Sequence, residues 1–217
     1  MSPAVIYGGG KLGAQFSRLA RLHFPEIEIV GCIDDTRPAG EKVFGDVPVL
    51  GGLAEAVAGA YGPTAAGLIF AIGYGDIRGR LAALRRAQAA GYQLVSLHHP
   101  RAMVETGAEI GPGTVIAAGA VIDAGVRMGC GNFIDIGVRI GEDTVLGDGN
   151  YLSAGSTVAG SCRLGDGNFL GLDVTVVNDR QIGTGNFVNA KTLVHRDLAD
   201  GLQVIQVHNV REMAMRG

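Results

Sequence analysis

From Ala102 onward the chain repeats every six residues without an insertion or deletion, and that period restricts it to very few architectures. Residues 102–197 divide into sixteen hexads, such as TVIAAG at 114–119 and NFIDIG at 132–137. The third place of every hexad is aliphatic or Met, from Val104 and Ile110 through Met128 to Val188 and Val194. The first place is mostly Ala, Thr, Val, Asn, Ser or Cys, and the fourth is most often Gly. A period of six with one inward aliphatic residue is that of a hexapeptide β-helix, in which three short strands make each coil and coils stack by parallel backbone hydrogen bonds into a triangular prism. Ninety-six residues make about five coils, a prism of roughly 25 Å at about 4.8 Å per coil.

The same architecture explains the glycine content. The chain holds 36 Gly but only 7 Pro and has no Gly-x-y period, so it is not collagen-like. Corners between strands need positive φ, which Gly adopts without strain and Asn or Asp with little. Asp143, Asp148, Asp166, Asn178 and Asp179 read as corner residues of this kind. Phe133, Tyr151, Phe169 and Phe187 hold the second place of their hexads at 18-residue steps, one coil apart, and so stack on one face. An aromatic stripe on a flat face points to a subunit interface and hence to an oligomer.

The first hundred residues follow a different rule. Ala4-Val5-Ile6-Tyr7 is a short apolar run ending at Gly8-Gly9-Gly10, and apolar residues then recur at helical spacing through Leu12, Phe16, Leu19 and Leu22 as far as His23. After Pro25, residues 27–33 read as a second strand ending at Asp34-Asp35. Gly8-x-Gly10-x-x-Gly13 fits the dinucleotide fingerprint, where glycines let the backbone approach a phosphate and the helix start supplies free N–H groups. Asp34, 21 residues after Gly13, stands where an acid accepts from a ribose or a base. A strand over 66–73, a helix over 77–90 carrying Arg78, Arg80, Arg85 and Arg86, and a closing strand over 92–97 complete one mononucleotide-binding half. One half alone favours a nucleotide-linked ligand over NAD, and no Tyr-Lys or His arrangement for an NAD-dependent oxidoreductase is present.

Composition excludes several other classes. A net charge of −3, with basic residues scattered, offers no patch for a nucleic-acid backbone. With 47% hydrophobic and 18% charged residues the chain can bury a core. Its longest apolar run, 65–72, is far short of the roughly 20 residues that span a bilayer, and residues 1–10 lack a basic leader region, so a cytoplasmic protein is expected. Cys32, Cys130 and Cys162 form no CxxC pair and read as small core residues. The expected architecture is therefore an α/β Rossmann-like half-domain over 1–97, a parallel β-helix over 98–200 and a tail over 201–217.

The glycine turn after Tyr7, the Asp34-Asp35 pair, the segment Phe70-Ala71-Ile72-Gly73 with Arg78, the His99-Pro100 junction and the hexads together resemble one family across nearly the whole chain. It is the hexapeptide-repeat sugar acyltransferases, typified by sialic-acid O-acetyltransferases and by N-acetyltransferases of nucleotide-linked 4-amino sugars. The resemblance implies a left-handed β-helix, a homotrimer, a nucleotide sugar held by the N-terminal half-domain, and acetyl-CoA lying along the β-helix between neighbouring subunits. By the same resemblance the nucleotide contacts Gly8, Gly10, Asp34 and Asp35, with Arg78 as a phosphate or structural partner. The family's His base falls on Glu142, followed by Asp143, and a second family His falls on Tyr151. The family's closing Gly-x-Pro-Ala loop is replaced by Gln206-Val207-His208-Asn209.

A carboxylate is a weaker base than an imidazole, so these departures favour an amine acceptor over a hydroxyl. Glu142 or Asp143 would then accept or orient the ammonium. The implied activity is transfer of an acetyl or related acyl group from a CoA thioester to a nucleotide-linked amino sugar. The alternative is a catalytically degenerate trimeric scaffold that keeps the nucleotide pocket.

Overall fold

The computed structural model describes residues 1–206. Its first part is built from β1 (Ser2–Tyr7), α1 (Lys11–His23), β2 (Ile27–Ile33), β3 (Lys42–Val43), β4 (Val47–Pro48), α2 (Leu53–Ala58), β5 (Gly67–Phe70) and α3 (Ile77–Ala89). Strands β2, β1 and β5 form a parallel sheet with β1 in the centre. Ala4, Val5, Ile6 and Tyr7 are all buried, as befits a central strand covered on both faces. The β1–α1–β2 unit falls where the sequence places it. Between Asp34 and Ala65, where the sequence pattern points to no element, the structure has the small antiparallel β3–β4 hairpin and α2.

The expected closing strand over 92–97 is reduced to a single bridge between Leu68 and Leu94. Leu97 and His98 instead pair with Val115 and Ile116, and so make the first rung of the second part. That part is a parallel β-helix of eighteen two-residue strands in three sheets of six, five and seven strands. The hexads supply sixteen of these strands, and Leu97–His98 and Gln203–Val204 add one rung at each end, giving about six coils where the hexads alone give five. Register steps by one coil throughout, as in Phe133 opposite Tyr151 and Ile134 opposite Leu152.

The third-place residues form one continuous core from Ile116 to Val194, interrupted only at the open first coil, where Val104 remains exposed. At the corners Gly119, Gly125, Gly137 and Gly155 take φ between 67° and 72°. Asp143 and Asp179 take the same left-handed conformation without being glycine. Asp148 and Asp166 do something else. Their carboxylates accept the backbone N–H of Cys130 at 2.7 Å and of Asp148 at 2.9 Å, each one coil away. Inside the prism Asn132, Asn150, Asn168 and Asn186 are buried in a ladder; the side-chain oxygens of the first three accept the backbone N–H of the next Asn at 2.8–2.9 Å, and that of Asn186 accepts the N–H of Leu202 at 2.8 Å. These amides satisfy a polar column that would otherwise be costly to bury.

One expectation is overturned. The stripe Phe133, Tyr151, Phe169 and Phe187 is not an exposed face awaiting another subunit, because the chain's own α/β part covers it. Phe133, Tyr151 and Phe169 are buried with Ala4, Ile6, Phe16 and Ile69 in one core cluster, and the rings of Phe16 and Phe133 meet edge to face at 5.0 Å. Helix α1 presents Leu12, Phe16 and Ala20 on one side, and that side lies on the aromatic ladder. Sequence periodicity shows that a face is apolar but not what buries it.

Candidate active site

Where the two parts meet, a cavity of about 670 Å³ opens above the carboxyl ends of β1 and β5. In a parallel α/β sheet this edge is the usual ligand position. Its walls are the glycine turn with the start of α1, the Asp34-Asp35-Thr36 segment, residues 71–75, and Tyr151 from the β-helix. Gly8 and Gly10, both expected here, line it together with Asp34 and Asp35. At Gly8, with φ 123°, any Cβ would come within 2.6 Å of the Ala71 carbonyl oxygen. Only glycine lets the ends of β1 and β5 run so close at this edge.

The two carboxylates also brace this edge, Asp34 at the turn itself. Asp34 accepts the backbone N–H of Gly9 at 2.8 Å, and on its other oxygen the N–H of Thr36 at 2.9 Å and its hydroxyl at 2.6 Å. Asp35 accepts from the Tyr7 hydroxyl at 2.7 Å, Arg86 at 2.8 Å and the N–H of Leu53 at the start of α2 at 2.9 Å. Burial pushes both carboxyls up. The hydrogen bonds from Thr36 and Gly9 on one, and from Tyr7, Leu53 and Arg86 on the other, outweigh it and hold both below the usual carboxylate range. They are anions at neutral pH, engaged with their own chain and bordering the cavity.

Arg78 does not join this group. It borders a groove with Thr184, Gly185 and Gly201, and a smaller one that shares Tyr74 and Gly75 with the cavity. Two residues on, Arg80 is the arginine at the junction, 1% exposed. It donates to the carbonyl oxygens of Gly149 at 3.1 Å and Gly131 at 2.9 Å on the β-helix, and to that of Ile72 beside the cavity. Its guanidinium lies 4.8 Å from the Phe70 ring centre and 5.7 Å from that of Tyr151. Desolvation pulls its pKa down to about 10, so it stays charged. A signal for it does exist in the sequence. Arg80 stands three residues after Ile77 and four before Leu84, on the apolar face of α3.

Tyr151, expected in place of a histidine, is a wall residue. Burial pushes its phenol up to about 12, so at neutral pH it is a donor and not a base. Tyr74 packs edge to face on Tyr151 at 5.1 Å and stacks on Phe169 at 4.5 Å. Beyond these rings a second cavity of about 320 Å³ shares Tyr74 and Tyr151 with the first and reaches Asp135, Ser153, Phe187 and Asn189. Asp135 was not among the sequence candidates. Glu142 and Asp143 lie at the next corner of the prism, exposed, and line neither cavity. Of the replaced tail segment, Val207-His208-Asn209 falls outside the described residues.

No protein-family model matches the chain, and no curated protein matches it. Solved structures do. A variant of perosamine N-acetyltransferase from Caulobacter crescentus, in complex with CoA and GDP-perosamine, is 30% identical over 94% of this chain and 93% of that one, with a TM-score of 0.79. The acetyltransferase domain of PglB from Neisseria gonorrhoeae, in complex with acetyl coenzyme A, is 25% identical over 92% and 93%, with a TM-score of 0.78. WeeI from Acinetobacter baumannii, at 20% identity over 94% and 97%, shares the fold with a TM-score of 0.79. The likeness runs through both the α/β part and the β-helix. The chain belongs to the hexapeptide-repeat sugar acyltransferases, in their nucleotide-amino-sugar N-acetyltransferase branch.

Proposed function

We propose that this protein is an acyl-CoA-dependent N-acyltransferase that moves an acetyl or related acyl group from CoA to the amine of a nucleotide-linked amino sugar. The observation that carries the reading is the pair of cavities joined at Tyr74 and Tyr151, one beginning at a phosphate-type glycine turn, in a chain 30% identical to an enzyme that holds CoA and GDP-perosamine. The diphosphate lies against Gly8, Gly10 and the start of α1, where unpaired N–H groups and the helix dipole favour an anion. Asp34 and Asp35 hold that turn and offer their remaining lone pairs to the nucleoside. Arg78 serves the groove it borders.

The amine attacks as its free base. Its lone pair forms the C–N bond at the thioester carbonyl carbon, the C–S bond breaks, and the proton surrendered by nitrogen passes to the departing sulfur. Glu142 and Asp143 are the carboxylates proposed to relay that proton. They reach an acceptor only from a neighbouring copy, which accords with a homotrimer whose acyl-donor groove lies between subunits. Ile136 and Leu172, 56% and 54% exposed on the corner beside the second cavity, are the apolar residues such a neighbour would cover. The implied location is the cytoplasm, where CoA thioesters and nucleotide sugars are available.

The test joins calorimetry with acetyl-CoA to a thiol-release assay using UDP- and GDP-linked 4-amino-4,6-dideoxyhexoses. Micromolar CoA binding and release of thiol with an amino sugar are expected. No binding at millimolar acetyl-CoA would replace the enzyme by a scaffold that keeps the fold. Turnover of Glu142→Ala and of Asp143→Ala both within twofold of wild type would remove these two residues from the reaction.

A further inference from the structure

Asp34 and Asp35 border the larger cavity, and the bonds they already make leave each of them little to offer a ligand. An ionised carboxyl has about four lone-pair directions, two on each oxygen. On Asp34, Oδ1 is filled by the Thr36 N–H and hydroxyl, while Oδ2 holds only the Gly9 N–H. On Asp35, Oδ2 is filled by the Tyr7 hydroxyl and Arg86, while Oδ1 holds only the N–H of Leu53. Each carboxylate therefore keeps one open lone pair on one oxygen, and neither has both oxygens open. Beside the open place on Asp34 stands a cation, with the Arg37 Nε 3.8 Å from Oδ2. The Asp34 side chain is only 13% exposed, so it is held in this arrangement.

One acceptor beside one donor suits some nucleobase edges and not others. Guanine presents two neighbouring N–H groups, N1–H and the 2-amino group, which match a carboxylate with both oxygens free. Uracil and thymine present a single imide N–H between two carbonyl oxygens, which needs one acceptor and leaves the carbonyls for a donor such as Arg37. Guanine set on Asp34 through N1–H would bring its 2-amino group against an oxygen that Thr36 already fills, and a desolvated donor left unpaired is costly. A site built for one hydrogen-bond pattern rejects another strongly for this reason. We infer that the chain selects its nucleotide by the base, taking the imide edge of uracil or thymine and refusing guanine, with Asp34 as the specificity-determining residue and Thr36 as the positioning residue that closes its second oxygen. The inference rests on the proposed acyl transfer to a nucleotide-linked sugar and adds which base that nucleotide carries. The open lone pair of Asp35 is left for a single hydroxyl of the pentose.

The experiment measures binding of UDP, dTDP and GDP by calorimetry on the full chain, beside the thiol-release assay. The wild type is expected to bind UDP or dTDP at least tenfold more tightly than GDP. Thr36→Val, at an exposed residue, keeps the backbone N–H and removes the hydroxyl, and so opens a lone pair on Asp34 Oδ1. GDP should then bind at least threefold more tightly than it does to the wild type, and the preference should shrink by the same factor. Thr36→Ser, which keeps the hydroxyl, should retain the tenfold preference. A merely structural loss would weaken all three nucleotides together and would not raise the affinity for GDP. A wild type that binds GDP as tightly as UDP and dTDP while still releasing thiol with an amino sugar, or a Thr36→Val variant with its preference unchanged, overturns this inference and leaves acyl transfer standing. A wild type that binds none of the nucleotides and releases no thiol overturns the acyl-transfer reading and this inference with it.

Discussion

The β-helix and the α/β part solve the burial problem in opposite ways. In the β-helix every coil repeats the one before it, so Ile134, Leu152 and Leu170 are the same residue position met three times, and each touches a neighbour of its own kind above and below. In the α/β part no position repeats. Gly8, Asp35 and Arg80 each do something that no other residue there does, and each holds together segments distant in sequence. A repeating core distributes its stability evenly along the stack. A non-repeating one concentrates it in a few side chains, and those are also the ones that shape the ligand cavity.

The sharpest break of this contrast is Arg80→Ala. The substitution leaves the carbonyl oxygens of Ile72, Gly131 and Gly149 without their donor and opens a cavity between Phe70 and Tyr151. Unpaired buried acceptors together with lost packing cost about 4 kcal/mol. The measurement is denaturant unfolding followed by aromatic fluorescence and by far-ultraviolet circular dichroism. The expected result is two transitions, the α/β part unfolding first while the β-helix persists. A single transition displaced by less than about 1 kcal/mol would mean that the junction does not depend on Arg80.

Leu152→Ala tests the other side. Leu152 is fully buried in the middle of the stack, and removing it costs about 3 kcal/mol through lost burial and a residual cavity. Because the coils interact only with their neighbours, Leu170→Ala, one coil further, should cost nearly the same. Unequal losses at the two sites would show that the stack is not the uniform column its sequence describes.

That uniformity is also why so much of this half was legible. Each hexad states its strand, its inward residue and its corner, and the structure places strands at all sixteen. The glycine turn, α1 and β2 were legible for a related reason, since their signals are local. What lay hidden depends on contacts across long separations. Helix α1 covers the Phe133 ladder from more than a hundred positions upstream, which no period can announce. Asp135 carries no local signal; Tyr74, which lines its cavity, stands sixty-one positions earlier. Arg78 and Arg80 are two residues apart in one helix; helical spacing puts the second on the face of Ile77 and Leu84, but only the packing of α3 shows that this face meets the β-helix.

A smaller effect separates the two parts by pH. The Asp35 carboxyl is held below its ordinary range in the fold, so it contributes stability above the unfolded-state value of about 3.9 and loses it as pH falls through the lower folded value. Asp35→Asn should therefore destabilise the α/β part at pH 7, and the gap from wild type should narrow below about pH 4. A gap that stays constant from pH 7 to pH 3 would mean that Asp35 acts through shape and not through charge.

The smallest expected effect lies at the same junction as the largest. Arg85, one turn of α3 beyond Arg80, reaches Asp166 on the β-helix at 2.9 Å and is the ion pair seen on the surface between the two parts. Its side chain is 60% exposed, and the pair works against solvent and the entropy of a long side chain, so Arg85→Ala should cost no more than about 1 kcal/mol. Raising salt should diminish even that, whereas it should leave the Arg80→Ala deficit unchanged, because carbonyl acceptors buried under two rings are not screened by ions. If Arg85→Ala instead separates the two transitions as Arg80→Ala does, the parts are joined by surface charge. The concentration of stability in one buried guanidinium would then have to be abandoned.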